Sequence, residues 1–197
     1  MDIWIATGNH GKVREYERLF APLKHKIFSL KDVLSFTAKP ETGKTFLENA
    51  QQKARTLHAV KNNFWVLGED SGLEVEGLNG MPGIYSARYA GDHAKDIENY
   101  TKVLKMLTLK NAQTRNAAFK CTIVAISPEK KEYIFEGVLK GTISPLPRGT
   151  EGFGYDPIFI PEGEQKTIAE LGLAYKNKTS HRARAIEKMF EDLKGSF

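Results

Sequence analysis

Two consecutive acidic residues, Glu69 and Asp70, follow the apolar run Trp65–Leu67 and open the segment EDSG. Adjacent carboxylates repel each other unless a cation or a proton separates them. A hard divalent cation such as Mg²⁺ binds carboxylate oxygens and retains water molecules, one of which can become a nucleophile. The pair therefore indicates a metal site with a general base. The alternative is an acidic turn in solvent, for which EDSG is also suitable.

The segment ATGNHGK, which ends at Lys12, joins an apolar run to a sequence with helical spacing. The first N–H groups of a helix have no intrahelical partner, and the helix dipole favours negative charge beside them. Gly8 and Gly11 allow close approach of the backbone, Lys12 adds positive charge, and Asn9 can cap the helix or donate a hydrogen bond. These properties favour a phosphate site, although the spacing is not that of a P-loop. A capped turn with a surface lysine is the alternative.

Two segments nearer the C-terminus combine aromatic, acidic and basic residues. In GFGYDP, Phe153 can stack on a planar ring and Asp156 can accept from ring N–H groups, which suits a nucleobase. In SHRAR, His181 and Arg182 begin a predicted helix, where the dipole disfavours each cation by about 0.3–1 kcal/mol. A bound anion would remove that conflict, and Lys176 extends the same basic patch. An aromatic anchor and a solvated basic turn are the respective alternatives.

The elements that must position these residues alternate between strand and helix. Apolar runs and alternating patterns predict strands over Ile3–Ala6, Ile27–Leu30, Trp65–Leu67, Ala117–Ile126 and Glu132–Leu139, the last two joined by the hairpin sequence SPEKK. Amphipathic spacing predicts helices over residues 12–20, 45–61, 97–109 and 180–193. The glycine-rich segment 72–91 is unsuited to a regular helix. Together they predict an α/β fold with a mixed, twisted sheet flanked by helices.

Composition limits the class of protein. With 197 residues, 41% of them apolar and 27% charged, the chain can form a buried core as one large α/β domain or two small lobes. Its apolar stretches are shorter than the ~20 residues that cross a bilayer, and its N-terminus is unlike a signal peptide. Cys121 is the only cysteine, which excludes an intramolecular disulfide. We therefore expect a cytoplasmic protein without a membrane partner, and a net charge of +5 favours an anionic ligand.

Five motifs, in this order, resemble the inosine triphosphate pyrophosphatase family of non-standard purine NTP pyrophosphatases (XTP/dITP diphosphatases): TGNHGK, TFLENAQQKA, EDSGLEVEGLNGMPGIYSARYAG, GFGYDPIF and SHRARA. The resemblance covers nearly the whole chain. It implies a Mg²⁺-dependent hydrolase that cleanses the nucleotide pool by converting ITP, dITP and XTP to the monophosphate and pyrophosphate. It also implies a homodimer, and a single domain over residues 1–197 whose two lobes flank one central substrate cleft.

The resemblance also assigns roles to individual residues. It implies that Asp70 is the general base and a metal ligand, and that Glu69 and Glu41 complete the acidic metal site. The substrate-binding residues that it implies are Thr7, Gly8, Asn9, His10, Gly11, Lys12, Ser71, Phe153, Gly154, Tyr155, Asp156, Lys176, His181 and Arg182. Thr7–Lys12 would hold the triphosphate, and Phe153–Asp156 would line the base pocket.

Two positions depart from the family pattern. Glu69 stands where many members have aspartate, so its carboxylate lies one methylene further out, and Glu151 stands where glycine is common. Two other functions are less consistent with the sequence than a hydrolase. A nucleotide-binding module without catalysis would gain nothing from the uncompensated carboxylates. A nucleic-acid-binding protein would concentrate its basic residues in one stripe, whereas here they are scattered, so we expect no nucleic-acid partner.

Overall fold

A six-stranded mixed sheet runs through the computed structural model, which describes residues 1–34 and 40–194. Its strands are β1 (Asp2–Ile5), β2 (Lys26–Phe28), β3 (Trp65–Val75), β4 (Asn116–Ile126), β5 (Glu132–Ile143) and β6 (Phe159–Pro161). The strand order is β2-β1-β3-β4-β5-β6. Strand β1 pairs in parallel with β2 and β3, whereas β5 and β6 are antiparallel, so the predicted mixed sheet is confirmed.

Five α-helices accompany the sheet in the described part of the chain. They are α1 (His10–Phe20), α2 (Phe46–His58), α3 (Asp96–Leu109), α4 (Ile168–Thr179) and α5 (His181–Asp192). Side-chain caps explain two of the starting points: Asn9 Oδ1 accepts from Lys12 N at 3.1 Å, and Thr45 Oγ1 accepts from Glu48 N at 3.1 Å. Four of the helices were predicted, whereas α4 and the short strand β6 were not.

The chain divides into two compact units, each with its own apolar core. The first unit comprises the described residues of Met1–Asp70, Cys121–Gly137 and Ala183–Phe197, and the second comprises Ser71–Lys120 and Val138–Arg182. The core of the first unit includes Ile3, Ile5, Tyr16, Phe20, Leu67, Ile123 and Met189. The core of the second unit includes Leu73, Val75, Val103, Phe119, Ile158 and Phe159. One cleft between two lobes remains a prediction.

Strand β3 is longer than the sequence pattern predicted. The prediction ended the strand at Leu67 and placed the acidic pair after it, but the strand continues to Val75. Leu73 and Val75 are fully buried in the second core, and this burial sustains extended backbone beyond the polar residues. Glu69 and Asp70 therefore lie inside a strand. The rest of the glycine-rich segment is irregular as predicted, with 3₁₀ turns over Glu76–Leu78 and Gly83–Arg88.

Two further observations concern the helices. Ile97, at the start of the predicted amphipathic helix, lies at the first turn of α3 and is 56% exposed. Among residues 1–34 and 40–194, no helix combines the length and the apolar composition needed to span a membrane.

Candidate active site

A glycine sets the distance between β3 and α2 in the first unit. A Cβ atom added to Gly68 would lie 2.2 Å from the Ala50 carbonyl oxygen and 2.7 Å from the Cβ of Ala54. Both alanines are fully buried. Only small residues at these positions permit so close an approach of helix to strand. The same face of α2 carries Asn49 and Lys53, which this packing brings to the strand.

Asp70 is held at both carboxylate oxygens by α2. Oδ1 accepts from Lys53 Nζ at 2.8 Å, and Oδ2 accepts from Asn49 Nδ2 at 3.1 Å. The amide of Asn49 is itself fixed, because its Oδ1 accepts from Gly43 N at 2.9 Å. The Asp70 carboxylate is thus buried, oriented, and charge-paired with an ammonium group.

Lys53 joins two of the predicted acidic residues. Its Nζ lies 2.7 Å from Glu41 Oε1 and 2.8 Å from Asp70 Oδ1, and donates to the Glu69 carbonyl oxygen at 3.1 Å. Burial alone would lower the pKa of Lys53, but attraction by Asp70 and Glu41 outweighs burial, so the pKa lies above its usual value of 10.5. Lys53 therefore remains an ammonium at neutral pH and draws the two carboxylates together.

Glu69 has a cationic partner of its own, Lys12. Successive side chains of a strand point to opposite faces, and the Glu69 side chain, fully buried, pairs with Lys12 Nζ at 3.0 Å. Within the described residues, no group of three or more His, Cys, Asp and Glu side chains is arranged as a metal site. The structure thus brings Glu41 and Asp70 to one ammonium group, that of Lys53, and the metal-binding role of Glu69 stays a prediction.

The segment Thr7–Lys12 forms the turn from β1 into α1. Thr7 is buried, and its Oγ1 accepts from Asn9 N at 3.2 Å. The exposed residues Gly8, Asn9 and His10 follow, and Gly11 is buried again. The ring of His10 contacts Lys31 Nζ, which adds a second lysine to this turn. A backbone turn at a helix N-terminus with nearby ammonium groups is suited to an anion.

In the second unit, the predicted base loop is fixed by its own aspartate. Asp156 Oδ2 accepts from Phe153 N at 2.9 Å and from Lys176 Nζ at 2.5 Å. The two charged side chains are almost completely buried, with 2% and 3% exposure. Lys176 Nζ also lies 4.0 Å from the centroid of the Phe153 ring, a cation–π contact. The structure therefore brings three predicted base-site residues together.

The remaining loop residues are anchored from outside the loop. Gly154 N donates to Asp96 Oδ2, at the start of α3, at 2.7 Å. The Tyr155 hydroxyl donates to the Ser86 carbonyl oxygen at 2.7 Å, and burial raises the pKa of this hydroxyl, which keeps it protonated as a donor. Tyr155 belongs to the second core. Tyr155 therefore supports the loop as a buried anchor. An aromatic anchor was the alternative to base stacking in this segment.

Ser71, His181 and Arg182 complete the second group. Arg182 is 1% exposed, and its Nη2 donates to Ser71 Oγ at 3.2 Å. The ring of His181 stacks on Phe119, with centroids 4.8 Å apart and planes inclined by 9°. Ser71 directly follows Asp70 in β3.

Sequence reasoning missed Asn49, Lys53, Asp96 and Phe119. For the first two a signal was present in TFLENAQQKA, where polar residues four apart share a helix face with Ala50 and Ala54. A buried face of small residues with a polar pair beside it marks close contact with another element. Asp96 and Phe119 carried no such signal, because an acidic residue opening a helix and an aromatic residue in a strand are both common.

Comparison with known proteins places these features in a family. A model of the Ham1 family matches residues 3–192. The dITP/XTP pyrophosphatase of Bdellovibrio bacteriovorus is 57% identical to this chain over 98% of both sequences. The dITP/XTP pyrophosphatase of Bacillus licheniformis is 43% identical over 95% of both. The resemblance predicted from five motifs is confirmed.

Solved structures agree with the sequence matches. The Ham1 protein of Staphylococcus aureus superposes with a TM-score of 0.87 at 38% identity and covers 100% of both chains. The HAM1 protein of Coxiella burnetii gives a TM-score of 0.86 at 39% identity, with 98% of both chains covered. The predicted α/β fold with a mixed sheet is confirmed by these neighbours. The chain belongs to the Ham1 family.

Proposed function

We propose that this chain is a nucleoside triphosphate pyrophosphatase that hydrolyses dITP, XTP and ITP to the monophosphate and pyrophosphate, and thereby cleanses the nucleotide pool. Relatives named dITP/XTP pyrophosphatase, at 57% and 43% identity over nearly the full length, support the substrate class. The observation that carries the proposal in the structure is the buried Asp70 carboxylate, oriented by Asn49 and Lys53 beside a second carboxylate, Glu41.

In this proposal, Asp70 orients a water molecule and accepts its proton as the water attacks the α-phosphorus. General-base assistance of this kind contributes about 10²–10⁴-fold in rate. Lys12 and Lys53 have flexible side chains that can turn from carboxylates to phosphate oxygens. Their ammonium groups and the backbone turn Thr7–Lys12 would stabilise the charge of the departing pyrophosphate.

Magnesium fits the donor set around Asp70. Mg²⁺ is usually bound by one or two carboxylates together with substrate phosphates, rather than by a complete protein cage. The carboxylates of Glu41 and Asp70 already converge on a single cationic group, Lys53 Nζ. We propose that these two residues hold Mg²⁺, which would supply neutralisation of the triphosphate charge, and that Glu69 instead orients Lys12.

The second group of residues would recognise the base. Phe153 offers a face for stacking. The N–H groups of Phe153 and Gly154 already donate to Asp156 and Asp96, so hydrogen bonds to the base would come from side chains. Lys176, His181 and Arg182 supply donors, and a donor-lined site is matched to the acceptor O6 of hypoxanthine and xanthine.

Two further features complete the proposal: an assembly, implied by the family resemblance, and a location in the cell, expected from the composition. We propose a homodimer, which light scattering coupled to gel filtration would distinguish from a 22.1 kDa monomer. We also propose that the protein acts in the cytoplasm, where the nucleotides that it would hydrolyse are used.

The test is a comparison of kcat/KM for dITP and XTP against dATP and dGTP in the presence of Mg²⁺. The proposal predicts a strong preference for dITP and XTP over dATP and a smaller one over dGTP, which shares O6. Equal values for dITP and dATP would contradict the assignment as a pool-cleansing enzyme.

A further inference from the structure

Helix α4 is interrupted at Gly172, between its N-terminal and C-terminal segments. Gly172 has φ 86° and ψ 173°, far from helical values, so the helix consists of two segments that meet at this residue. Thr167 and Glu170 cap the first segment through a reciprocal pair of hydrogen bonds. The second segment begins at Leu173 and carries Lys176.

Glu151 is attached to α4 on both sides of this interruption. Its backbone N–H donates to the Ala169 carbonyl oxygen at 3.4 Å, before the break. Its side-chain Oε2 accepts from Leu173 N at 2.9 Å, after the break. The fit is close, because a Cβ added to Gly172 would lie 3.1 Å from that carboxylate oxygen. One residue therefore fixes how the second segment follows the first.

The second segment is tied to the base loop at a second point. Lys176 Nζ donates to Asp156 Oδ2 and lies over the Phe153 ring. Glu151 immediately precedes the loop that carries Phe153 and Asp156. The loop and the segment are thus joined at both ends, by the Glu151–Leu173 bond and by the Asp156–Lys176 pair. If the Glu151–Leu173 hydrogen bond were lost, the second segment of α4 could shift about the Asp156–Lys176 pair.

We propose that Glu151 is a positioning residue for base recognition, which acts by fixing the second segment of α4 and hence the ammonium of Lys176 against Phe153. The inference rests on the proposed function. Glu151 itself is exposed and reaches neither the Phe153 ring nor Lys176 in the described contacts. Its carboxylate is needed as a hydrogen-bond acceptor, and an amide oxygen at the same position can also accept.

The experiment compares Glu151→Ala, which removes the acceptor, with Glu151→Gln, which retains it. Glu170→Ala is the matched control, because it removes a carboxylate cap from the first segment of the same helix. We expect Glu151→Ala to raise KM for dITP by about 5-fold, which corresponds to the typical effect of losing one cap, with kcat nearly unchanged. Glu151→Gln should recover most of the loss, and Glu170→Ala should lower Tm without raising KM.

Two binding measurements separate positioning from general stability. In Glu151→Ala, affinity for dIMP should fall, whereas affinity for inorganic tripolyphosphate, which has no base, should remain. A parallel loss of both ligands, or an equal rise in KM in Glu170→Ala, would overturn the inference. An unchanged KM in Glu151→Ala, with a wild-type enzyme active on dITP, would overturn it as well.

Hydrogen exchange distinguishes failure of this inference from failure of the proposed function. Glu151→Ala should accelerate amide exchange in peptides covering residues 149–156 and 173–179, and unaltered exchange would show that the tie is unimportant. A wild-type protein inactive on dITP, XTP and ITP would overturn the proposed function, and with it the role in base recognition, whatever the exchange result.

Discussion

Asp70 has a defined orientation because both of its oxygens accept hydrogen bonds from α2. In Asp70→Asn the shape remains but the negative charge is lost, and one side-chain atom becomes a donor facing Lys53 or Asn49. We expect the fold and nucleotide binding to persist while kcat for dITP falls about 10²–10⁴-fold. Steady-state kinetics and calorimetric binding of the substrate in the presence of Ca²⁺ measure the two effects separately.

The control for this change is Asp92→Asn, which removes one carboxylate from an exposed position in the second unit. It should leave kcat unaffected. If Asp70→Asn retained near-normal turnover, the general base would lie elsewhere, and Glu69 would be the first candidate.

Lys53 links Asp70 to Glu41, and its raised pKa makes the link dependent on pH. A raised pKa in the folded state means that the ammonium contributes stability fully below the usual value of 10.5, and that this contribution disappears as pH rises through the folded-state pKa. Lys53→Gln should lower stability at pH 8 by about 1–3 kcal/mol, since it leaves two adjacent carboxylates without their cation. Denaturant unfolding measures this difference.

The same pair of proteins gives the pH test. The stability difference between wild type and Lys53→Gln should be constant from pH 8 to 9.5 and should shrink above pH 10.5. Other lysines titrate in both proteins and therefore cancel. A difference that persists unchanged at pH 12 would show that Lys53 stabilises by packing and not by charge.

Substitution of Arg182 tests how the protein would distinguish ITP from ATP. A donor aimed at position 6 matches O6 of hypoxanthine but opposes the amino group of adenine, and an unpaired buried polar group costs about 1–3 kcal/mol. Arg182→Ala should therefore lower kcat/KM for ITP more than for ATP and narrow their ratio. The ratio is independent of the folded fraction, because both substrates are assayed on one preparation. If both values fell together, Arg182 would bind phosphate, and base selection would rest on Phe153–Asp156.

At the scale of elements, the contact between α2 and β3 is what assembles the Asp70 site. Gly68→Ala would place a methyl group 2.2 Å from the Ala50 carbonyl oxygen, so helix and strand must separate. Overpacking of this kind costs about 1–3 kcal/mol, and the shift should also reduce kcat, because Asn49 and Lys53 move with the helix. Tm and kcat measure the two effects.

The stability control is Gly8→Ala, where an added Cβ meets no atom within 4 Å. It should leave Tm nearly unchanged. A Gly68→Ala variant with wild-type Tm and kcat would mean that α2 and β3 are not held as closely as the structure places them.

Hydrophobic periodicity in the sequence predicted most of the helices and strands, because the apolar residues that recur at the helical or strand period are the ones that are buried in the fold. On α2, the apolar residues Phe46, Ala50, Ala54 and Leu57 recur at three- and four-residue spacing; the last three are fully buried, and Phe46 is partly buried. The extension of β3 was missed because Glu69 and Asp70 interrupt the apolar run, and only long-range burial of Leu73 and Val75 sustains the strand. Helix α4 was missed because Gly172 divides it into segments too short to show a helical period.

The candidate site was predictable in its residue types but not in its pairings. Motif resemblance named Asp70, Asp156 and Lys176, and the structure shows the last two in contact. That Glu69 and Asp70 lie inside a strand, with side chains on alternate faces, could be seen only from the true length of β3. Lys53 was missed because a lysine on an amphipathic helix is usually solvated, and only its position opposite two carboxylates distinguishes it.

For the whole molecule, the proposed reaction would draw on residues of both units. Membership of the Ham1 family and a net charge of +5 agree with a polyanionic nucleotide as substrate. The assignment of a nucleotide substrate rests more on resemblance over the full chain than on any single motif. Each motif alone is also typical of an ordinary turn or helix end.

Attack of water at the α-phosphorus is tested most directly by hydrolysis of dITP with Mg²⁺ in ¹⁸O-labelled water, followed by mass spectrometry of the products. Attack at the α-phosphorus predicts dIMP that carries the label, unlabelled pyrophosphate and no orthophosphate, with the reaction abolished by a chelator and restored by Mg²⁺. Label in the pyrophosphate, release of orthophosphate, or activity that persists in the chelator would contradict the mechanism proposed for this chain.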